Sequence, residues 1–145
     1  VFRDRQITNS NTIKEKCKDS IRVIKARNIR DDGKKIIDIE GYDTYIKPEV
    51  VKKLSVYKYM GDENVYLTPN MTYKPRVICN LKEAVVNGSV AVLIPKNKIK
   101  LTEKQMEYFT TDEYRKFYKI ARNYQTRSLN VDSTSVYFYG ILKEN

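Results

Sequence analysis

Short apolar runs separated by polar turns fill the first two thirds of the chain, and helix-period runs gather near its end. Residues 20–29 alternate Ile21 and Val23, then less cleanly Ala26 and Ile29, with Arg22, Lys25 and Arg27 between them. This predicts a strand that runs into a turn at Asn28. Asp31-Asp32-Gly33 is a hairpin signal, which predicts a second strand over 35–40; Gly41 breaks it, and 42–47 continues the sheet. Pro48 opens a short helix with Val50, Val51 and Leu54 on one face. Two short strands, 65–68 and 76–79, flank a loop stiffened by Pro69 and Pro75. Residues 84–86 and 89–94 are the most apolar, and Asn87-Gly88 between them is a type I′ turn signal that predicts a hairpin. The 89–94 run is apolar on both faces, as a central buried strand is.

Near the end the period changes. Thr102 with Gln105 makes a capping box for a helix over 103–109, and Thr110 with Glu113 makes a second one. Tyr114, Phe117, Tyr118 and Ala121 then recur at i, i+3, i+4 and i+7, the spacing of a core-facing stripe. Arg115, Lys119 and Arg122 fall on the opposite face. A polar run without a period follows from Asn123 to Arg127, and 135–142 predicts a last strand. Residues 1–18 are polar and lack a period, with Arg3 and Arg5 in an N-terminal arm that either packs against the domain or connects to a preceding one. Strands followed by a helical pair predict an α+β fold: a single mixed domain over 1–145, with a mostly antiparallel, twisted sheet and a C-terminal helical pair.

Composition narrows the chemistry. At 145 residues and 41% hydrophobic content, one domain with its own core is expected. Histidine is absent, which excludes a Ser-His-Asp or Cys-His nucleophile, a histidine base and His-ligated zinc. Cys17 and Cys79 cannot hold zinc alone. Two distant cysteines in a chain of this size point to a reducing compartment, hence a cytoplasmic protein of prokaryotic type once the resemblance below is added. No apolar run approaches the length of a membrane span. A start at Val1 leads to the expectation of a fragment of a longer protein. The net charge is +10, and residues 74–127 carry 12 basic against 5 acidic side chains, an imbalance that fits a polyanionic partner. The 12 tyrosines suit a wet, polar interface, and they suit strands equally.

Catalytic constellations are thin. Asp38 and Glu40, two apart on one expected strand face with Lys34 or Lys47 nearby, are the pair a metal-dependent nuclease could use. That spacing is common by chance, and a solvated strand face is the simpler account. The glycines never fall in a phosphate-cradling spacing. The motif of Asn or Asp, two prolines and an aromatic that marks amino-methyltransferases is absent. The chain reads as non-catalytic, with no cofactor of its own. A protein-interaction module with an incidental basic face is the third reading.

The side chains that suit DNA are better represented. Lys96 and Lys98 follow the most apolar strand. Arg115, Lys119 and Arg122 on one helical face can track phosphates, and Asn123, Gln125, Arg127 and Asn130 are types that read adenine or guanine edges. Tyr73, Lys74 and Arg76 put an aromatic and two cations in and beside the stiff loop, although Arg76 also begins a strand and can simply flank a core.

Three stretches resemble the target recognition domains of restriction–modification DNA methyltransferases. The nearest likeness is to the C-terminal specificity domains of type II, including type IIS, adenine methyltransferases; type I specificity subunits are more distant. The first stretch is DRQIT at 4–8 with IRVIKARNI at 21–29. The second is YLTPNMTYKPRVICN at 66–80 with VNGSVAVLIPK at 86–96. The third is FTTDEYRKFYKIARNYQTRSLNVDSTSVYFYGIL at 109–142. The resemblance implies that the S-adenosylmethionine site and the catalytic motif belong to an N-terminal methyltransferase domain of the same protein. This chain would then choose the double-stranded DNA sequence while the adenine is flipped out.

Overall fold

The structure is a computed structural model and describes residues 1–72, 74–95, 100–121 and 129–130. Among these residues three sheets form, with short helices between and after them, an α+β architecture. The four-stranded sheet is wholly antiparallel, in the order β1-β8-β4-β6. Its strands are β1 (Phe2–Arg3), β4 (Tyr66–Pro69), β6 (Ile78–Cys79) and β8 (Val90–Leu93). The three-stranded sheet has β2 (Ile21–Ile24) at its centre, between β3 (Thr44–Ile46) and β7 (Ala84–Val86). β3 pairs with β2 antiparallel and β7 pairs with it parallel. A two-stranded ribbon joins β5 (Met71–Thr72) to β9 (Leu129–Asn130).

Strand alternation explains how these layers stack. Successive side chains of a strand point to opposite faces. On β8, Val90 and Val92 enter a core shared with Val23, Ile24 and Ile46 of the three-stranded sheet and with Val51 and Val56. Ala91 and Leu93 of the same strand join Tyr66, Val77, Phe109 and Tyr114 on the other face. The four-stranded sheet is therefore the middle layer. The three-stranded sheet covers one face, and the helical pair α2 (Glu103–Tyr108) and α3 (Asp112–Ala121) covers the other. This is why the 89–94 run has no polar face: β8 lies between β1 and β4 and is buried on both sides.

Local chemistry sets the helix ends. α1 (Pro48–Val51) begins at its proline and buries Val51. Thr102 Oγ1 accepts from the Gln105 amide at 3.1 Å, and the Gln105 side-chain oxygen accepts from the Thr102 amide at 2.8 Å, which is the reciprocal box expected from sequence. α3 begins one residue later than expected. Thr111, not Thr110, accepts from the Tyr114 amide, at 3.2 Å. The Thr110 hydroxyl turns back to the Glu107 carbonyl oxygen at 2.7 Å and closes α2.

Two further expectations are corrected. Residues 35–40 form no strand; the Asp31-Asp32-Gly33 turn closes on a single bridge, Ile29 to Ile36, and β2 takes β3 as its antiparallel neighbour instead. The 84–86 and 89–94 runs do not pair as a hairpin, because β7 and β8 lie in different sheets. Asn87 does not adopt the positive φ that a type I′ turn needs. Its side-chain oxygen accepts from the Ser89 amide and hydroxyl, and this turn sends the chain from one layer to the next. Of the two expectations for the N-terminal arm, packing on the domain or leading to a preceding one, the first is met: Phe2 and Arg3 pair with Val92 and Ala91, which closes the sheet edge.

Candidate nucleic-acid interface

The ribbon of β5 and β9 brings together two stretches far apart in the chain. Met71 lies opposite Asn130 and Thr72 opposite Leu129. The proline-bounded loop of 69–75 is thus tied by backbone pairing to the end of the Thr-Arg-Ser-Leu-Asn stretch. Both stretches supply side chains of the kind that contacts nucleic acid.

A buried arginine holds the loop. Arg76 is only 5% exposed. Its guanidinium donates from Nε to the Ile29 carbonyl at 3.0 Å, from Nη1 to the Lys74 carbonyl at 2.7 Å and from Nη2 to the Ala26 carbonyl at 3.1 Å. Arg76 was expected among the DNA-facing cations. Its planar fork instead fastens the loop to the 3₁₀ turn Ala26–Asn28. Its own carbonyl accepts from the buried Thr68 hydroxyl at 2.7 Å. Arg76 positions the loop, and Lys74 is the cation that stays outside.

Lys74 is 61% exposed at its side chain and pairs with Asp31 at 3.1 Å. An exposed pair of this kind is weak and exchangeable. Asp31 belongs to the turn closed by Gly33, whose φ of +69° suits glycine. In the same turn Arg30 grips Asp32 through Nε and Nη2, at 2.9 and 2.6 Å. That guanidinium, with the Lys34 amide, holds the Asp32 carboxyl at about 2, well below its ordinary value. From the other side Arg3 donates to the Asn70 side-chain oxygen at 3.0 Å. The Asn70 amide donates to the Ser89 carbonyl at 2.8 Å, and the Ser89 hydroxyl accepts from the Ala26 amide at 2.9 Å. Arg3, the start of the loop, Ser89 and the Ala26–Asn28 turn therefore form one hydrogen-bonded end of the molecule.

The remaining expected residues divide by location. Tyr73, Lys96, Lys98, Arg122, Asn123, Gln125 and Arg127 lie outside the described residues, as does the expected strand over 135–142. Lys119 and Asn130 are placed by backbone alone, in α3 and β9. Arg115 was expected on an open basic face. It is half-buried, and its Nε is shielded from water without a hydrogen-bond partner among the described residues. Tyr114 is buried as expected, packed edge-on against Phe109 at 4.9 Å. Phe117, expected in the core, is 47% exposed.

The acidic pair behaves as a surface feature. Asp38 is bound by Arg22 at 2.5 Å. Among the described residues no group of three or more potential ligands could hold a metal ion, and no helix is long and apolar enough to cross a membrane. Compared with known proteins, the chain matches no family, no curated protein and no solved structure.

Proposed function

We propose that this chain is a sequence-specific DNA target recognition domain that directs the adenine methyltransferase activity of an N-terminal domain, in a restriction–modification enzyme of the prokaryotic cytoplasm. S-adenosylmethionine is the cofactor of that parent enzyme and has no site in this chain. The observation that carries the reading is the β5–β9 pairing. It ties Met71–Thr72, two residues before Lys74, to Leu129–Asn130, which supports a reading in which residues for phosphates and for base edges work together. Lys74, Lys96, Lys98, Lys119 and Arg122 serve phosphates, and Asn123 to Asn130 serve base edges. Nothing observed favours the nuclease or the protein-interaction reading.

Selection of bound duplexes from a randomised library tests the proposal. The expected result is one enriched sequence, and Arg127→Ala relaxes preference at one base pair by roughly 1–3 kcal/mol, whereas Lys119→Ala weakens all sequences alike. Recovery of an unenriched library at moderate salt overturns the reading.

A further inference from the structure

The Ala26–Asn28 turn carries cations that the loop-centred reading leaves unused. The Lys25 amine lies 3.8 Å from the centre of the Tyr42 ring and donates to the Tyr42 carbonyl oxygen. The Arg27 guanidinium lies 4.9 Å from the same ring. A ring orients a cation without neutralising it, unlike a carboxylate. Three neighbouring cations do have carboxylate partners: Arg22 has Asp38, Arg30 has Asp32, and Lys74 has Asp31 in an exposed, exchangeable pair. Among the described residues neither Lys25 nor Arg27 has an ion-pair partner. Asp43, the acid that acts on Lys25, uses its oxygens on the Asn28 side chain at 2.6 Å, the Ile39 amide at 3.0 Å and Arg22 at 3.4 Å.

Positive charge gathers here without a direct ion pair. Burial pushes the Lys25 amine below its ordinary value, and nearby Lys14 and Arg27 push it the same way against the pull of Asp43. An anion docked on this turn would meet two cations that no carboxylate bonds directly. The turn is also fixed in place: Asn28 is fully buried, and the Ala26 carbonyl and amide are bound by Arg76 and Ser89. Arg76 bonds the Ala26 and Lys74 carbonyls together, so Arg27 and Lys74 each adjoin the same clamp.

We propose that Lys25 and Arg27, set around Tyr42, form a second contact for duplex phosphates, continuous through Arg76 with the Lys74 loop. The assignment rests on the DNA-recognition reading and extends it: the loop and the β9 stretch read the site, and this turn grips the backbone beside it. Charge without a carboxylate partner on a rigid turn suits a repeating anion, and such a contact carries no sequence information.

Binding of the whole chain to a random-sequence duplex, followed by anisotropy over a range of salt, tests the proposal. The wild-type log affinity falls steeply with log salt, at about −0.9 per phosphate contacted. Arg27→Gln makes the slope shallower by about one such contact and weakens all duplexes alike. Arg27→Lys retains the slope, and so does Lys53→Gln, an exposed lysine outside the turn. Lys25→Met adds a further loss, with folding checked by circular dichroism. An unchanged slope in Arg27→Gln overturns this inference and leaves the recognition reading standing. A flat wild-type slope overturns both. Tighter binding to phosphatidylserine vesicles than to duplex, lost in Arg27→Gln, assigns the turn to a membrane surface and overturns the inference.

Discussion

The carbonyl oxygen of Asp4 lies 2.6 Å from where a Cβ would stand on Gly88. This approach lets β1 cross the turn between β7 and β8 and close the sheet edge. The obstacle to a side chain is backbone, so no rotamer change relieves it. Gly88→Ala is expected to lower stability by about 1–3 kcal/mol, as overpacking does. Urea unfolding measures it, and a midpoint equal to wild type would show that β1 lies elsewhere.

Arg76 makes a second testable demand. Its truncation leaves the carbonyls of Ile29, Lys74 and Ala26 without these donors in a buried setting. Arg76→Met is expected to cost at least about 2 kcal/mol. Arg76→Lys is expected to recover little of that, because one ammonium cannot reproduce the fork. A full rescue by lysine would argue that charge, not geometry, is what the site needs.

The contrast between Arg76 and Gly88 shows what the chain discloses in one dimension. The buried 89–94 strand, the proline-opened α1 and the Thr102 capping box were legible because each depends on residues close in sequence. The role of Asn87-Gly88 was not. A turn dipeptide signals a reversal, but only the long-range choice of β2 as the partner of β7 decides that no hairpin forms. Arg76 stayed open between a DNA contact and a core flank for a similar reason, since an arginine beside a loop looks the same whether its carbonyl partners come from fifty residues away or from nowhere. The β5–β9 ribbon, which ties Met71–Thr72 to Leu129–Asn130, joins residues far apart in the chain, and no local pattern announces it. Lys25 and Arg27 drew no notice as polar positions of a strand, because Tyr42 meets them only in the fold.

Arg115 gives a prediction of the opposite sign. Among the described residues its buried Nε has no hydrogen-bond partner, so that atom is desolvated without compensation. Arg115→Met keeps the aliphatic stem and removes the stranded group. Stability is expected to hold or rise by up to about 1 kcal/mol, read from the urea midpoint. If duplex binding also keeps its salt slope, Arg115 is not one of the phosphate contacts; a shallower slope at unchanged stability makes it one.

The Arg30–Asp32 grip sets a pH dependence for the turn beside Lys74. Asp32 is held at about 2, first by the Arg30 guanidinium and then by the Lys34 amide, against an ordinary value of 3.8. A depressed carboxyl pKa means that the folded turn favours the ionised form. Its contribution is therefore complete above about pH 4 and is lost as the pH falls through about 2. Both side chains lie at the surface, so the effect is local order, not global stability. Carboxyl chemical shifts followed on acidification are expected to show Asp32 titrating near 2, with the Lys34 amide shift moving in step. In Arg30→Gln the midpoint is expected to return toward 3.8. A midpoint already near 3.8 in the wild-type protein would mean that this guanidinium does not hold the turn in solution.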